Sequence, residues 1–121
     1  MILISFGTRP EYIKIKPLLD ALEGNIEYKL LFTGQHEDLL KHVAGDNIEK
    51  FSISHAPNRL DAIVSSILSN ERSPVFQGVT HVLVQGDTTS AFAVALSAFH
   101  RKLRVIHLEA GVRTHDLENP Y

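Results

Sequence analysis

Short apolar runs alternate along this sequence with segments whose apolar residues have helical spacing, and few folds accommodate that alternation. The runs predicted to be strands are Ile2–Phe6, Tyr28–Phe32, a brief edge segment Lys50–Ile53, His81–Val84 and Arg104–Leu108. The segments predicted to be helical are a first amphipathic helix with apolar positions from Ile13 to Leu22, then Glu37–Val43, Leu60–Leu68 and Ser90–His100. Strands joined by such helices favour right-handed crossovers and a parallel sheet. We therefore predict an α/β domain with a doubly wound, Rossmann-like parallel sheet of about five strands in the order 3-2-1-4-5.

Size and composition narrow the class of protein. The chain has 121 residues, of which 44% are hydrophobic, enough for one compact domain. Its formal net charge is −2 with acids and bases interspersed, which argues against nucleic acid as a partner. The absence of cysteine excludes disulfides, thiol catalysis and thiolate metal sites. No apolar run approaches the roughly 20 residues that cross a bilayer, and the patterns begin at Met1, so we expect a cytoplasmic protein without a targeting peptide or a membrane partner.

The first strand leads directly into a glycine and a helix start. Thr8 and Glu11 have the spacing of a capping box, and Pro10 lies in the first turn, where its missing N–H costs nothing. The partly positive helix end would therefore lie just beyond the carboxyl end of a strand, beside Arg9. Such a position suits an anion, most often phosphate. A well-formed turn with a solvated arginine explains the same residues equally well.

Polar loops follow the strands at the edge where a doubly wound sheet binds its ligands, which here lies between the first and fourth strands. The four loops expected to meet there are Gly7–Glu11, Thr33–His36, Gln85–Ser90 and Glu109–Thr114. Asp87 is a candidate general acid or base, with Glu109 expected within reach across the cleft, and two carboxylates in one site divide acid and base roles. The alternatives are a helix-start acid at Asp87 and two solvated loop acids.

Cations and histidines near these loops complete the list of candidates. Arg113 and Lys14 are positioned to meet a second part of an anionic ligand, although Lys14 is equally explained as a surface lysine. His36 and His107 are explained as a polar loop residue and a strand-end residue, and no metal site is predicted because no histidine pair has ligand spacing. The loop after the first strand lacks the Gly-x-Gly-x-x-Gly pattern, so a phosphate-bearing ligand other than NAD is favoured.

At these residues the chain resembles the non-hydrolysing UDP-N-acetylglucosamine 2-epimerases. Four motifs occur in collinear register: FGTRPE (Phe6–Glu11), TGQH (Thr33–His36), QGDTTS (Gln85–Ser90) and HLEAGVRT (His107–Thr114). Four motifs together are far more specific than any one of them. The resemblance covers the whole chain, and the Arg-Pro-Glu form separates it from the hydrolysing relatives.

The resemblance implies a fold and a reaction. Residues 1–121 would form an incomplete amino-terminal Rossmann-like domain, the first of a two-domain glycosyltransferase-B-like (GT-B-like) fold, with the second nucleotide-binding domain absent. The family interconverts UDP-GlcNAc and UDP-ManNAc: the C2 proton is removed and UDP leaves C1, giving 2-acetamidoglucal, and UDP then adds back while C2 is reprotonated on the opposite face. Neither a nicotinamide nor a metal cofactor is implied, and a homodimer is.

The resemblance also implies roles for individual residues. Asp87 and Glu109 match the acid and base positions, and Arg9 and Lys14 match positions that hold UDP. Gln35 and His36 match a region where a second UDP-GlcNAc binds as an activator in bacterial members. The chain departs from the family at residues 57–60, where Pro-Asn-Arg-Leu replaces Gly-Gln-Ser/Thr-Leu.

Other interpretations remain open beside the epimerase. An epimerase of a related UDP-2-acetamido sugar would share these motifs, and a truncated, non-catalytic module would bind a nucleotide-sugar or a partner without turnover. A glycosyltransferase of the same architecture is disfavoured by Asp87 and Glu109. No helix covers the last predicted strand, and the family draws a further catalytic glutamate and a histidine from beyond Tyr121. The chain alone is therefore predicted to be inactive.

Overall fold

A computed structural model describes residues 1–34, 37–43, 48–70, 73–111 and 113–119. Its strands are β1 (Ile2–Phe6), β2 (Tyr28–Phe32), β3 (Ile48–Lys50), β4 (His81–Gln85) and β5 (Arg104–Leu108). Its α-helices are α1 (Arg9–Leu22), α2 (Arg59–Leu68) and α3 (Thr89–His100). Two short 3₁₀ helices complete the described elements, at Glu37–His42 and Pro74–Phe76.

The five strands form one parallel sheet in the order β3-β2-β1-β4-β5. This confirms the predicted α/β class and the predicted strand order. The reversal of strand order lies between β1 and β4, which pair from Ile2 opposite His81 to Ile4 opposite Leu83. The carboxyl ends of β1 and β4 therefore lie side by side, and the loops that follow them share one edge of the sheet.

The third strand differs from its predicted position. It spans Ile48–Lys50 and pairs with the end of β2, where Phe32 lies opposite Lys50. The next residue, Phe51, still donates its N–H to the Phe32 carbonyl at 3.0 Å, and the chain then leaves the sheet. The apolar residues at Phe51 and Ile53 pack with the core beneath α2 instead of extending the strand.

Each face of the sheet carries its own core. Successive residues of a strand point to opposite faces, so Leu3 and Val82 pack with α2 and α3, while Ile4 and Leu83 pack with α1. Both faces of β1 and β4 are consequently buried, as expected of central strands in a doubly wound sheet. This packing holds the two central strands, and with them the loops at their carboxyl ends, in fixed positions.

The last strand has much less cover than the central ones. All five residues of β5 are exposed, and the apolar side chains Val105, Ile106 and Leu108 are between 37% and 40% exposed. In the described part of the chain, β5 forms one edge of the sheet. None of the helices that the structure describes has the length and apolar character required to span a membrane.

Candidate active site

One cavity opens at the carboxyl edge of the sheet, above the reversal between β1 and β4. Its volume is about 650 Å³. The loops after β1, β2 and β4 contribute to its lining, as do the 3₁₀ helix Glu37–His42 and the first turns of α2. Three of the four predicted loops therefore meet at this cavity. The described residues of the fourth loop, which follows β5, are not among the lining residues.

The loops after β1 and β2 approach each other closely where they line the cavity. A Cβ atom on Gly34 would come within 2.3 Å of the Gly7 carbonyl oxygen, and one on Gly7 would come within 3.0 Å of Thr33 Oγ1. Thr33 also donates its N–H to the Phe6 carbonyl at 3.0 Å. The loops after β1 and β2 thus pack backbone against backbone, which requires glycine at Gly34.

The helices α1 and α3 begin at the cavity with threonine caps. Thr8 is the N-cap of α1 and accepts from the Glu11 N–H, and Thr88 is the N-cap of α3 and accepts from the Ala91 N–H. The predicted capping box is therefore present, since the Thr8 backbone is in turn hydrogen-bonded to the Glu11 carboxylate. Thr8 Oγ1 also donates to Glu11 Oε1 at 2.9 Å. Both helix N-termini present partial positive charge to the same space, which favours an anion there.

Among the described residues, the charged side chains that line the cavity are Arg9, Asp38, Arg59 and Asp87. Arg9 and Asp87 are among the predicted site residues. Arg59 and Asp38 were not predicted, because they come from segments outside the four loops that the strand pattern singles out. The signal that could have placed Arg59 is Asn58, whose side chain caps α2 and so fixes Arg59 in the first turn.

Hydrogen bonds with residues of β5 hold the turn that carries Asp87. Gly86 has a φ of 73°, and its N–H donates to the Leu108 carbonyl at 2.9 Å. The His107 Nε2 atom lies 2.7 Å from the Gly86 carbonyl oxygen, a hydrogen-bonding distance. His107 therefore contacts the turn immediately before Asp87, a role that its position at the strand end did not indicate.

Glu109 pairs with Lys14, and neither residue is among those that line the cavity. Lys14 Nζ lies 2.6 Å and 2.8 Å from the two carboxylate oxygens of Glu109, and Gln85 Nε2 donates to the same carboxylate at 2.5 Å. The Lys14 and Glu109 side chains are each about half exposed. Among the described residues, the partners of Glu109 are these two, and a direct contact with Asp87 is not formed. The division of acid and base roles between Asp87 and Glu109 stays a prediction.

The remaining predicted residues lie away from the cavity lining or outside the described structure. Arg113 is exposed and is not among the lining residues. Gln35 and His36, the predicted activator residues, lie outside the described residues. Within the ranges that the structure describes, no group of three or more histidine, aspartate or glutamate side chains is arranged to hold a metal ion.

Glu11 is the buried carboxylate of this region, with 2% of its surface exposed. Burial raises its pKa above the ordinary value of 4.5, because the charged form loses its hydration. Hydrogen bonds from the Thr8 side chain, the Gly7 and Thr8 backbone and the Thr88 side chain act in the opposite direction. The net effect is a raised pKa.

The fold and the position of the cavity place this protein among the Rossmann-like α/β proteins, whose ligands bind beyond the carboxyl ends of the strands. A family model described as UDP-N-acetylglucosamine 2-epimerase matches residues 20–121. The chain belongs to the UDP-N-acetylglucosamine 2-epimerase family, which confirms the family predicted from the motifs.

Individual relatives support the same assignment. The chain is 39% identical over 129 residues to the UDP-N-acetylglucosamine 2-epimerase of Salmonella borreze, and the match covers 99% of this chain and 34% of that relative. The crystal structure of UDP-GlcNAc 2-epimerase from Neisseria meningitidis bound to UDP-GlcNAc superposes with a TM-score of 0.85 at 35% identity, covering 99% of this chain and 34% of that one. The Methanocaldococcus jannaschii UDP-GlcNAc 2-epimerase in complex with UDP-GlcNAc and UDP gives a TM-score of 0.82 at 30% identity, with 97% and 34% coverage. The chain therefore spans about a third of the length of these relatives.

Proposed function

We propose that this chain is the amino-terminal part of a UDP-GlcNAc 2-epimerase, which interconverts UDP-GlcNAc and UDP-ManNAc. The observation that carries the proposal is the cavity at the strand-order reversal, where two helix N-termini, Arg9 and Asp87 converge. The solved relatives from Neisseria meningitidis and Methanocaldococcus jannaschii are described with UDP-GlcNAc or UDP bound. In the whole protein, a second nucleotide-binding domain would complete the cleft.

The cations and helix N-termini support binding of the diphosphate. Elimination of UDP leaves negative charge on the departing diphosphate, and preorganised positive groups stabilise that charge. Arg9 lines the cavity and is the first candidate for this task. Lys14 and Arg113 would contribute further charge, with Lys14 exchanging part of its contact with Glu109 for the ligand.

The carboxylates would move the C2 proton. Asp87 reaches the cavity from the start of α3 and is proposed as one acid–base group. Glu109 is proposed as the other, and its contacts with Lys14 and Gln85 orient its carboxylate. Removal and return of the proton on opposite faces of the sugar requires two such groups.

Three further parts of the proposal rest on family membership. Gln35 and His36 would belong to a site where a second UDP-GlcNAc binds as an activator. The whole enzyme would be a homodimer and would act in the cytoplasm. A related UDP-2-acetamido sugar is a second substrate candidate, since the cavity residues would contact groups that such substrates share with UDP-GlcNAc.

The test is proton exchange at sugar C2. UDP-GlcNAc is incubated in D₂O with the longest product of the reading frame that encodes this chain, and NMR follows deuterium at C2 and formation of UDP-ManNAc. We expect both in the wild type, with Asp87→Asn and Glu109→Gln each lowering the rate by at least about a hundredfold. Asp20→Asn, which removes an exposed carboxylate paired with Lys16 on α1, is the matched control and should retain the rate.

Each outcome has a defined meaning. Exchange that survives both carboxylate substitutions would refute the assigned roles while leaving the epimerase intact. Absence of exchange with UDP-GlcNAc, but exchange with a different UDP-2-acetamido sugar, would change the substrate. Binding of UDP-GlcNAc without exchange in any of these sugars would mean that the protein is a nucleotide-sugar-binding module and not an epimerase.

A further inference from the structure

Ser90 is a nearly buried hydroxyl residue in the cavity wall to which the proposed chemistry gives no task. It lies in the first turn of α3, lines the cavity and is 7% exposed. Within the described part of the chain, its Oγ atom has no hydrogen-bond partner, and no fully enclosed side-chain oxygen or nitrogen is left without one. The Ser90 hydroxyl must therefore have access to open space, and the space that Ser90 borders is the cavity.

Gly7 keeps room for a ligand beside this hydroxyl. A Cβ atom on Gly7 would lie 3.1 Å from Ser90 Oγ and 3.0 Å from Thr33 Oγ1. Gly7 is not one of the glycines with a positive φ, so its backbone conformation does not itself require glycine. The Thr33 hydroxyl is already used, because it donates to the Phe6 carbonyl at 3.4 Å. Of the two hydroxyl groups beside Gly7, that of Ser90 is the one available to a ligand.

Two main-chain donors accompany this hydroxyl. The cap residue Thr88 accepts from the Ala91 N–H through its side chain and from the Phe92 N–H through its carbonyl. The N–H groups of Thr89 and Ser90, the first two of α3, have no acceptor among the residues that the structure describes. Thr89 also lines the cavity. The start of α3 therefore offers a hydroxyl and two N–H donors to an acceptor group in the cavity.

The charges around the cavity indicate which acceptor this is. Asp87 precedes the cap of α3 and lines the cavity, so it repels a phosphate at the start of α3, whereas Arg9 attracts one to the start of α1. A neutral carbonyl oxygen accepts from the same donors without that repulsion. In UDP-GlcNAc such a carbonyl belongs to the acetamido group on C2, the carbon whose proton Asp87 is proposed to move.

We propose that the Ser90 hydroxyl and the N–H groups of Thr89 and Ser90 hold the acetamido carbonyl of the sugar, and so set C2 against Asp87. This inference rests on the proposed function and deepens it. Ser90 follows Asp87 by three residues, so one turn carries both the group that moves the proton and the group that holds the neighbouring substituent. A sugar with a hydroxyl at C2 would leave these donors unpaired, which makes the site selective for 2-acetamido sugars.

The substitution that tests this role is Ser90→Ala in the longest product of the reading frame. Three quantities are measured: kcat/KM for C2 exchange of UDP-GlcNAc, and the inhibition constants of UDP and of UDP-glucose, which carries a hydroxyl at C2. We expect kcat/KM to fall about tenfold and both inhibition constants to stay within about twofold of the wild type. Ser97→Ala removes a hydroxyl that is 1% exposed from the same helix, outside the lining of this cavity, and should leave all three quantities unchanged.

Unfolding by urea without ligand tests the geometry independently of activity. Ser97 Oγ accepts from Arg101 Nη1 at 2.6 Å, whereas Ser90 Oγ has no partner in the described chain. Ser97→Ala should therefore unfold at a lower urea concentration than the wild type, and Ser90→Ala at about the wild-type concentration. If Ser90→Ala lost as much stability as Ser97→Ala, the hydroxyl would be bonded within the protein and the inference would be overturned.

The outcomes separate this inference from the proposed function. A wild type without exchange refutes the proposed function, and the inference falls with it. With an active wild type, a loss confined to UDP-GlcNAc supports the inference. An equal loss for UDP-GlcNAc, UDP and UDP-glucose overturns it, since Ser90 would then contact the diphosphate or support the fold, and an unchanged kcat/KM overturns it as well. If Ser90→Ala does not fold, Ser90→Cys, which keeps the size of the side chain but donates weakly, decides by the same readouts.

Discussion

The ionisation of Glu11 should be visible in the stability of the protein. Because burial raises the pKa of Glu11 above 4.5, the folded state holds the proton over a pH range in which the unfolded state has released it. The unfolded state then binds fewer protons, so the contribution of Glu11 to stability falls as pH rises from about 4.5 through the folded-state pKa. The contribution is fully present only below the unfolded-state value.

Glu11→Gln should remove this pH dependence. We expect the free energy of unfolding of the Gln variant to increase relative to that of the wild type as the pH rises from about 4 to about 7, because only the wild type loses the Glu11 contribution. Urea unfolding of both proteins at a series of pH values measures the difference, which cancels the titration of all other groups. A difference that stays constant, or that changes in the opposite direction, would show that the hydrogen bonds from Thr8 and Thr88 outweigh desolvation.

At the scale of elements, the cavity depends on how closely the ends of β1 and β2 approach. Gly34→Ala would place a methyl group 2.3 Å from the Gly7 carbonyl oxygen and 2.6 Å from the Phe32 ring. Backbone and a buried ring cannot rotate away, so we expect a loss of about 3 kcal/mol in the free energy of unfolding. Chemical denaturation measures that loss.

A second glycine provides the control for this substitution. Gly24 has a φ of 76° and no atom within 4 Å of a built Cβ, so Gly24→Ala tests backbone strain without a steric clash. Its expected cost is about 1 kcal/mol. If Gly34→Ala costs no more than Gly24→Ala, the loops after β1 and β2 are not packed as tightly as described.

The order of the strands could be predicted from the sequence because each central strand is a continuous apolar run and crossover connections between parallel strands are right-handed. The edge strand was predicted to begin at Lys50, two residues after the observed start of β3 at Ile48. The prediction followed the apolar residues Phe51 and Ile53, which pack beneath α2, whereas the pairing of β3 with β2 depends on backbone hydrogen bonds. An apolar pattern indicates which residues are buried, and at the edge of a sheet the buried residues need not be the ones that pair with the neighbouring strand.

The candidate site was predictable where a loop follows a strand and unpredictable where a helix contributes from the side. Arg9 and Asp87 follow β1 and β4, so the topology alone brings them to one cavity. Arg59 reaches the same cavity from α2, whose orientation depends on side-chain packing. The contact between Lys14 and Glu109 joins residues 95 positions apart, and no local pattern encodes a pair of that kind.

At the scale of the whole molecule, the proposed function makes the described chain one wall of a ligand site. Its cavity opens at the edge of a single sheet, and the relatives whose structures contain UDP-GlcNAc or UDP are about three times as long. The apolar side chains of β5, Val105, Ile106 and Leu108, are between 37% and 40% exposed in this part of the protein. Exclusion of water from a reacting sugar requires surfaces on both sides of it.

Residues 1–121 by themselves should therefore be unable to turn over UDP-GlcNAc. Elimination of UDP needs the diphosphate and C2 to be held together, and in the proposed roles Arg9, Lys14 and Asp87 would act from one side only. We expect C2 deuterium exchange by the isolated chain to be at least about a thousandfold slower than by the longest product of the reading frame. Binding of UDP to the isolated chain would be seen as local NMR shifts in the Gly7–Glu11 loop. A folded state is verified first by circular dichroism and amide NMR. Exchange by the isolated, folded chain within about tenfold of the longer product would mean that one Rossmann-like domain suffices for the chemistry, and the proposed two-domain cleft would have to be abandoned.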